Sequence, residues 1–351
     1  MSRNKFLEYL ERSEPCMGET FSDLNLKGLN FSGMVFDDTA FDRCNFTDSD
    51  LDECIFNGCT FDGAIFDQCS LRESVFRSCS LKGASLIGSN LDSTSFSTTD
   101  LSSSVFNDAI VDGALFQDSD LSSVKFNVKL FLRIIFQDIV ATGLEIGEVD
   151  IEKSVFYEMN MSKVQIKSRL FSQVVLIGCN MRGLDLSNRR FVSCQFTDAK
   201  MDDCNLQGSD LVQSVFSNTS LSNANLDQAN GPLTLFAQAN VSNATIRNAT
   251  FDRSIWTDAI VEGADFSNST LTYTSFTRAQ CKGAIYNDCA LNFSNFDYAD
   301  LRKTSFKDAQ FEHTSLHAAL TSDPLLLGKS GIAKKDEALL RAELHSISGT
   351  V

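Results

Sequence analysis

The chain has 351 residues, 43% of them hydrophobic, with 46 acidic against 30 basic side chains and a formal net charge of −16. A chain of this length ordinarily divides into two domains, and so negative a charge excludes nonspecific attachment to a nucleic-acid backbone. The 11 cysteines, discussed below by position, fit neither a disulfide nor a metal spacing.

Residues 1–14 are charged and lack an apolar core, so a secretory signal is not expected. Within them, residues 2–12 read as a short amphipathic helix with Phe6, Leu7 and Leu10 on one side. Its expected task is to cover a sheet edge that would otherwise attract other strands.

From Phe21 to Leu316 every fifth residue is a large apolar one. Of these 60 centres only Ala141, Gly231 and Cys281 fall short of a bulky apolar side chain. A period of five matches neither a helix nor a simple strand. It fits a chain that turns a corner every five residues, four pentads closing one square coil, and such a fixed period marks a solenoid. Two positions before each centre stands a small residue, and one before it often Asp or Asn. Examples are Ala224-Asn225-Leu226, Ala264-Asp265-Phe266, Ala299-Asp300-Leu301, Ser209-Asp210-Leu211, Ser49-Asp50-Leu51 and Cys204-Asn205-Leu206.

These triplets resemble the pentapeptide-repeat family over roughly 300 residues. The resemblance implies an all-β solenoid, a right-handed quadrilateral β-helix of bacterial origin, here of about 15 coils with short terminal helices. At one strand spacing per coil the expected length is roughly 70 Å.

The 29 Phe against 5 Tyr and 1 Trp suit a dry axis in which a hydroxyl or indole N–H would lack a partner. Residues 20 apart stack on one face, so Phe36, Phe56, Phe76, Phe96, Phe116, Phe136 and Phe156 form one ladder. Cys44, Cys54, Cys59, Cys69, Cys79, Cys179, Cys194, Cys204 and Cys289 hold the small inward position, Cys281 is a centre, and only Cys16 lies outside the array. They read as small buried hydrophobes, and free thiols point to folding in a reducing cytoplasm. Export by a signal-independent secretion system is compatible with the same features.

The expected organisation is a capping helix (1–19), regular coils (20–123), irregular or widened coils (124–189), regular coils (190–318) and a capping turn and helix (319–351). In the irregular stretch the inward position holds residues as large as Lys129, Ile134, Leu144, Met159, Arg169 and Arg189. Gly231-Pro232 marks a second expected irregularity. After residue 320 an apolar plug, Leu325-Leu326-Leu327, precedes a helix over 333–347 with Leu339, Leu340, Leu344 and Ile347 as its apolar face. That helix is expected to cap the array or pair two copies, since a free helix of this length is marginal.

No catalytic, cofactor or metal site emerges. His313 and His317 have i, i+4 spacing, but in strand and turn rather than helix. Gly328-Lys329-Ser330 imitates the end of a phosphate loop, yet Asp323 stands where its first Gly is required. No stretch is long and apolar enough for a membrane span. Charge runs in blocks: residues 21–120 carry 17 acidic and 5 basic groups, 121–190 carry 7 and 10, and 191–320 carry 14 and 8.

The residue before each centre forms a row along a side. One row contains Val35, Ile55, Val75, Leu115, Ile135, Val155, Val175, Val215, Leu235 and Ile255, whereas the three equivalent rows are mostly polar. A single apolar stripe predicts a docking surface for a protein partner or a second copy. The expected function is a non-enzymatic protein-interaction scaffold. The resemblance also implies two alternatives: an acidic DNA mimic directed at gyrase, and an accessory or cargo protein of a specialised secretion system.

Overall fold

A large apolar residue every fifth position leaves the intervening four to make a side and a corner. The backbone does so in a recurring way in most pentads. The centre N–H bonds the carbonyl one coil on, as in Phe21 to Ala40 at 2.7 Å, and its own carbonyl accepts from the third residue ahead, as in Met34 to Phe31 at 2.9 Å. That turn needs a left-handed residue two after the centre. Glycine supplies it at Gly28 and Gly33, but non-glycine residues adopt it equally regularly, from Asp38 at 46° to Asp23 at 64°. Pairing partners are 20 residues apart and parallel, as in Val35 with Ile55 and Phe36 with Phe56. Four pentads therefore make one coil.

The protein is a parallel β-solenoid of about 15 coils. The computed structural model describes residues 3–12, 14–324 and 326–333, together with Ala338 and Arg341. The chain divides into two compact units, Met1–Asn180 and Met181–Val351.

In the first unit helix α1, Arg3–Arg12, drives Phe6 into the open end of the first coil. The Phe6 ring lies 4.8 Å from Phe21 and 5.6 Å from Phe31. One side is a continuous parallel sheet made by Cys16–Met17, Val35–Asp37, Ile55–Asn57, Val75–Arg77, Ser95–Ser97, Leu115–Gln117, Ile135–Gln137 and Val155–Tyr157. Behind it the stacked rings continue from Phe36 to Phe156, with Phe76, Phe96 and Phe116 at 5.0 and 5.1 Å.

One corner of this unit departs from the rule. Val128, Glu148 and Ser168, 20 apart, do not take the left-handed conformation found at the other stacked corners, and neither does Lys163. At two of these corners, Val128 and Ser168, a charged residue follows. Lys129 and Arg169 occupy the small inward position but are exposed, while Val128 and Ser168 are buried in their stead. Most oversized aliphatic residues stay inside, as Val124, Ile134, Leu144 and Val174 do, whereas Val149 and Leu184 are half-exposed. For Lys129 and Arg169 charge adds to size, since an unpaired ammonium or guanidinium in the dry axis is far costlier than a crowded Leu.

In the second unit nearly every pentad keeps the regular form. Three features correct expectations about its axis. Trp256 is fully buried, and its indole Nε1 donates to Ser254 Oγ at 2.7 Å, so the inward Ser supplies the partner thought to be missing. Tyr286 is also fully buried, although its hydroxyl has no hydrogen-bond partner there; Cys281, a small centre, leaves the ring room. Gly231 does not disturb the backbone: its N–H bonds Thr250 and Leu233 keeps the left-handed corner. The Phe251 ring of the next coil fills the space, so close that a Cβ on residue 231 would meet its Cε1 at 2.3 Å.

At the far end the turn Leu326–Gly328 buries Leu326, and Ala333 pairs with Thr314. The expected helix residues Leu339, Leu340, Leu344 and Ile347 lie outside the described residues.

Candidate functional site

The inward small residues have a role beyond fitting. Cys44 Sγ donates to the Phe21 carbonyl at 3.0 Å, Cys54 to Phe31 at 3.0 Å, Cys69 to Phe46 at 2.8 Å and Cys204 to Met181 at 2.9 Å. Ser74, Thr94 and Ser209 make the same bond, 23 residues back. Thiol and hydroxyl thus satisfy a buried carbonyl in one geometry, and this is why the two types interchange along the array. All 11 cysteines are free and buried. Burial pushes the thiol of Cys44 up to about 11, and those of Cys54, Cys69, Cys179 and Cys204 up to about 12. A thiol held neutral in this way is a poor nucleophile and a poor metal ligand.

Among the described residues no cluster of three His, Cys, Asp or Glu side chains is placed to hold a metal. His313 and His317 are on no helix: His313 stacks on Phe293 at 5.5 Å, and His317 N–H bonds Asp297. A small cavity of ≈200 Å³ lies at the far end, lined by Leu316, Ala319, Leu327 and Ile332 among others. Ser315 and His317 also line it.

Surface charges pair between coils. Arg43 bonds Asp23 at 2.7 Å, Arg182 bonds Asp202 at 2.8 Å and Arg278 bonds Asp258 at 2.7 Å, each pair 20 apart. Burial raises the Asp227 carboxyl, but the Arg247 guanidinium outweighs it and holds the group below its ordinary value. These exposed pairs each contribute little; they neutralise columns that would otherwise repel.

The expected apolar row occupies one side of each unit. In the first unit Val35, Ile55, Val75, Leu115, Ile135, Val155 and Val175 sit in register, Val155 bridging Val175. In the second, Val215, Leu235 and Ile255 are bridged in turn. Their side chains are half-buried, and Ile55, Ile135 and Ile255 remain 37%, 38% and 43% exposed.

The sequence reading missed what flanks the row in the second unit. The left-handed corner before this side carries Leu233, Arg253, Tyr273, Phe293 and His313, and the corner after it carries Tyr298. Tyr273 and Phe293 stack at 4.8 Å, and the Arg253 guanidinium lies 5.4 Å from the Tyr273 ring centre. Bulky residues at positive φ are uncommon. Leu233, Ile255, Tyr273, Phe293 and Tyr298, five large and exposed apolar side chains, therefore share one side. The signal was present in the sequence: residues two after a centre, read every 20.

Comparison with known proteins agrees with this geometry. The family description "Pentapeptide repeats (8 copies)" matches residues 20–58, 170–208, 194–230, 234–272, 274–312 and 287–320, and "Pentapeptide repeat region" matches 49–130. The chain belongs to the pentapeptide-repeat family. The unmatched interval 131–169 contains the altered corners at Glu148, Lys163 and Ser168. No curated protein matches the chain. Among solved structures it is similar to HetL, a pentapeptide repeat protein involved in heterocyst differentiation regulation from Nostoc sp. strain PCC 7120. Identity is 14%, over 90% of this chain and 97% of that one, with a TM-score of 0.26. It is also similar to QnrB1, a plasmid-mediated fluoroquinolone resistance protein, with 17% identity, 67% and 96% coverage and a TM-score of 0.36. A third is Rfr23 from the cyanobacterium Cyanothece 51142, with 16% identity, 40% and 95% coverage and a TM-score of 0.28. No helix among the described residues is long and apolar enough to cross a membrane.

Proposed function

We propose that this pentapeptide-repeat protein is a non-enzymatic bacterial scaffold that docks a protein partner or a second copy along its apolar-striped side. The observation that carries this reading is the row of ten Val, Leu and Ile on one side, with Ile55, Ile135 and Ile255 each more than a third exposed, whereas exposed aliphatics on the other sides, such as Ile110, Leu130 and Val140, are few. β-Propensity alone favours Val and Ile in any flat sheet, but it does not select one side of four. Apolar surface gathered on one side is the usual mark of an interaction site.

Replacing Ile135, Val155 and Val175 with Ser tests it. The circular dichroism spectrum and melting temperature are expected to stay near wild type, since these side chains are half outside the core. Association by light scattering and recovery of the partner are expected to be lost. Unchanged assembly and unchanged partner recovery would count against the stripe. The 17 acidic against 5 basic groups of residues 21–120 favour a second reading, duplex mimicry toward gyrase. In that case any inhibition of supercoiling survives the three Ser substitutions.

A further inference from the structure

The striped side of the second unit carries a pattern that fits one occupant, a second copy of this chain. This inference rests on the docking reading above and specifies the partner. With a net charge of −16, two copies repel wherever carboxylates face each other. Over two coils the side avoids this altogether: residues 212–218 and 232–238 contain no ionisable group. Above them the two corners carry different residues at each level. Arg253 on the leading corner stands level with Asp258 on the trailing corner, Tyr273 with Arg278, and Phe293 with Tyr298. Level here means within about a quarter of the strand spacing, roughly 1.2 Å.

We infer that two chains pair side by side and parallel, about a two-fold axis running along the coil stack over the middle row. Such an axis lays the leading corner of one copy on the trailing corner of the other. Arg253 then meets the carboxylate of Asp258 in the second copy, Tyr273 meets the guanidinium of Arg278, and Phe293 meets the ring of Tyr298. Each contact is favourable, an ion pair, a cation–π contact and an aromatic pair, and each occurs twice. Along the middle, Val215, Leu235 and Ile255 meet their own copies. Asp258 also accepts from Arg278 of its own chain, so an incoming Arg253 shares that carboxylate with it. Of the other carboxylates, Asp252 accepts from Thr272 N–H and Asp297 from Ser315 and His317, and Asp198 and Glu312 lie at the two ends of this side.

The first unit obeys the same rule. Arg133 is level with Asp138 and Lys153 with Glu158, and no level of these left-handed columns, in either unit, pairs two like charges. One like pair occurs in the adjacent column, Arg72 with Arg77. These two are held by their own neighbours Asp92 and Asn57. An antiparallel pairing about Ile255 would instead set Arg253 against Arg253 and Asp258 against Asp258.

Sedimentation equilibrium and cysteine cross-linking of the full chain test this. Wild type is expected to be dimeric. Arg253→Glu should raise the dimer dissociation constant roughly tenfold, as two symmetry-related ion pairs are lost, and adding Asp258→Arg should restore it. The native thiols are buried, so Ser275→Cys on the middle row should cross-link to itself under mild oxidation. Cross-linking only between Ser275→Cys and Leu235→Cys chains would overturn the parallel arrangement. A monomer at every soluble concentration would overturn the second copy as occupant. Recovery of another protein that the three Ser substitutions abolish would then leave the docking reading standing.

Discussion

Raising the pH above 9 in reducing buffer is expected to unfold this solenoid from its interior. Burial pushes the thiols of Cys54, Cys69, Cys179, Cys204, Cys281 and Cys289 up to about 12 and that of Cys44 up to about 11. The ordinary value is 9.0. The folded state therefore holds these protons more tightly than the unfolded chain. Their stabilisation is fully present below pH 9 and is lost as pH rises from 9 towards 12. Each thiol costs about 1.4 kcal/mol per pH unit in that window. At pH 10 the seven together remove a substantial part of the stability that holds an ordinary domain folded. The sheet signal should collapse between about pH 9 and 11. Replacing Cys54, Cys69, Cys179 and Cys204 with Ala should move the midpoint upward, because Ala already fills this position at Ala64 and Ala84. A spectrum and melting temperature unchanged to pH 11 would mean that the thiols are not in a dry interior.

Phe96→Ala is expected to cost about 3–5 kcal/mol, the range for deleting a buried ring. Phe96 has no exposed surface and stacks between Phe76 and Phe116 at interplanar angles of 15° and 9°. In a solenoid each coil contacts only its neighbours, so the cavity cannot be shared with a distant core. Backbone hydrogen bonds on both sides hold the coils at fixed spacing, so they cannot close over it. Phe96→Leu, a residue used at other centres such as Leu91 and Leu101, should cost far less. The check is urea unfolding, with a lower midpoint and an unchanged slope. A midpoint for Phe96→Ala equal to wild type would show that the ladder is not what fills the coils.

Much of this fold was legible because one rule repeats. The apolar centre fixes the axis, the small residue before it fixes the inner wall, and 20-residue spacing fixes the stacking. What escaped was decided by particular side-chain contacts that the repeat rule does not specify. Gly231 looked like a break, but Phe251 from the next coil occupies its space. Trp256 looked too polar for the axis, but the hydroxyl of Ser254 meets its N–H. Lys129 and Arg169 signalled trouble at the inward position, though not that the chain would turn Val128 and Ser168 inward instead. The candidate site was half legible. The aliphatic row follows from position alone, but the ladder of Arg253, Tyr273 and Phe293 sits at corners where small and polar residues are the rule.

Amide hydrogen exchange over residues 201–300 tests the pentad stack most directly. There the backbone N–H groups that bond other backbone carbonyls come from every pentad position except the residue immediately after the centre, such as Asp202, Gln207 and Val212. Several of those amides bond only a side-chain oxygen, as Gln207 does to Asn205 and Thr272 to Asp252, so faster exchange there than at their neighbours, repeating every five residues, is the predicted result. Protection repeating at two or near 3.6 residues, or none at all, would contradict it.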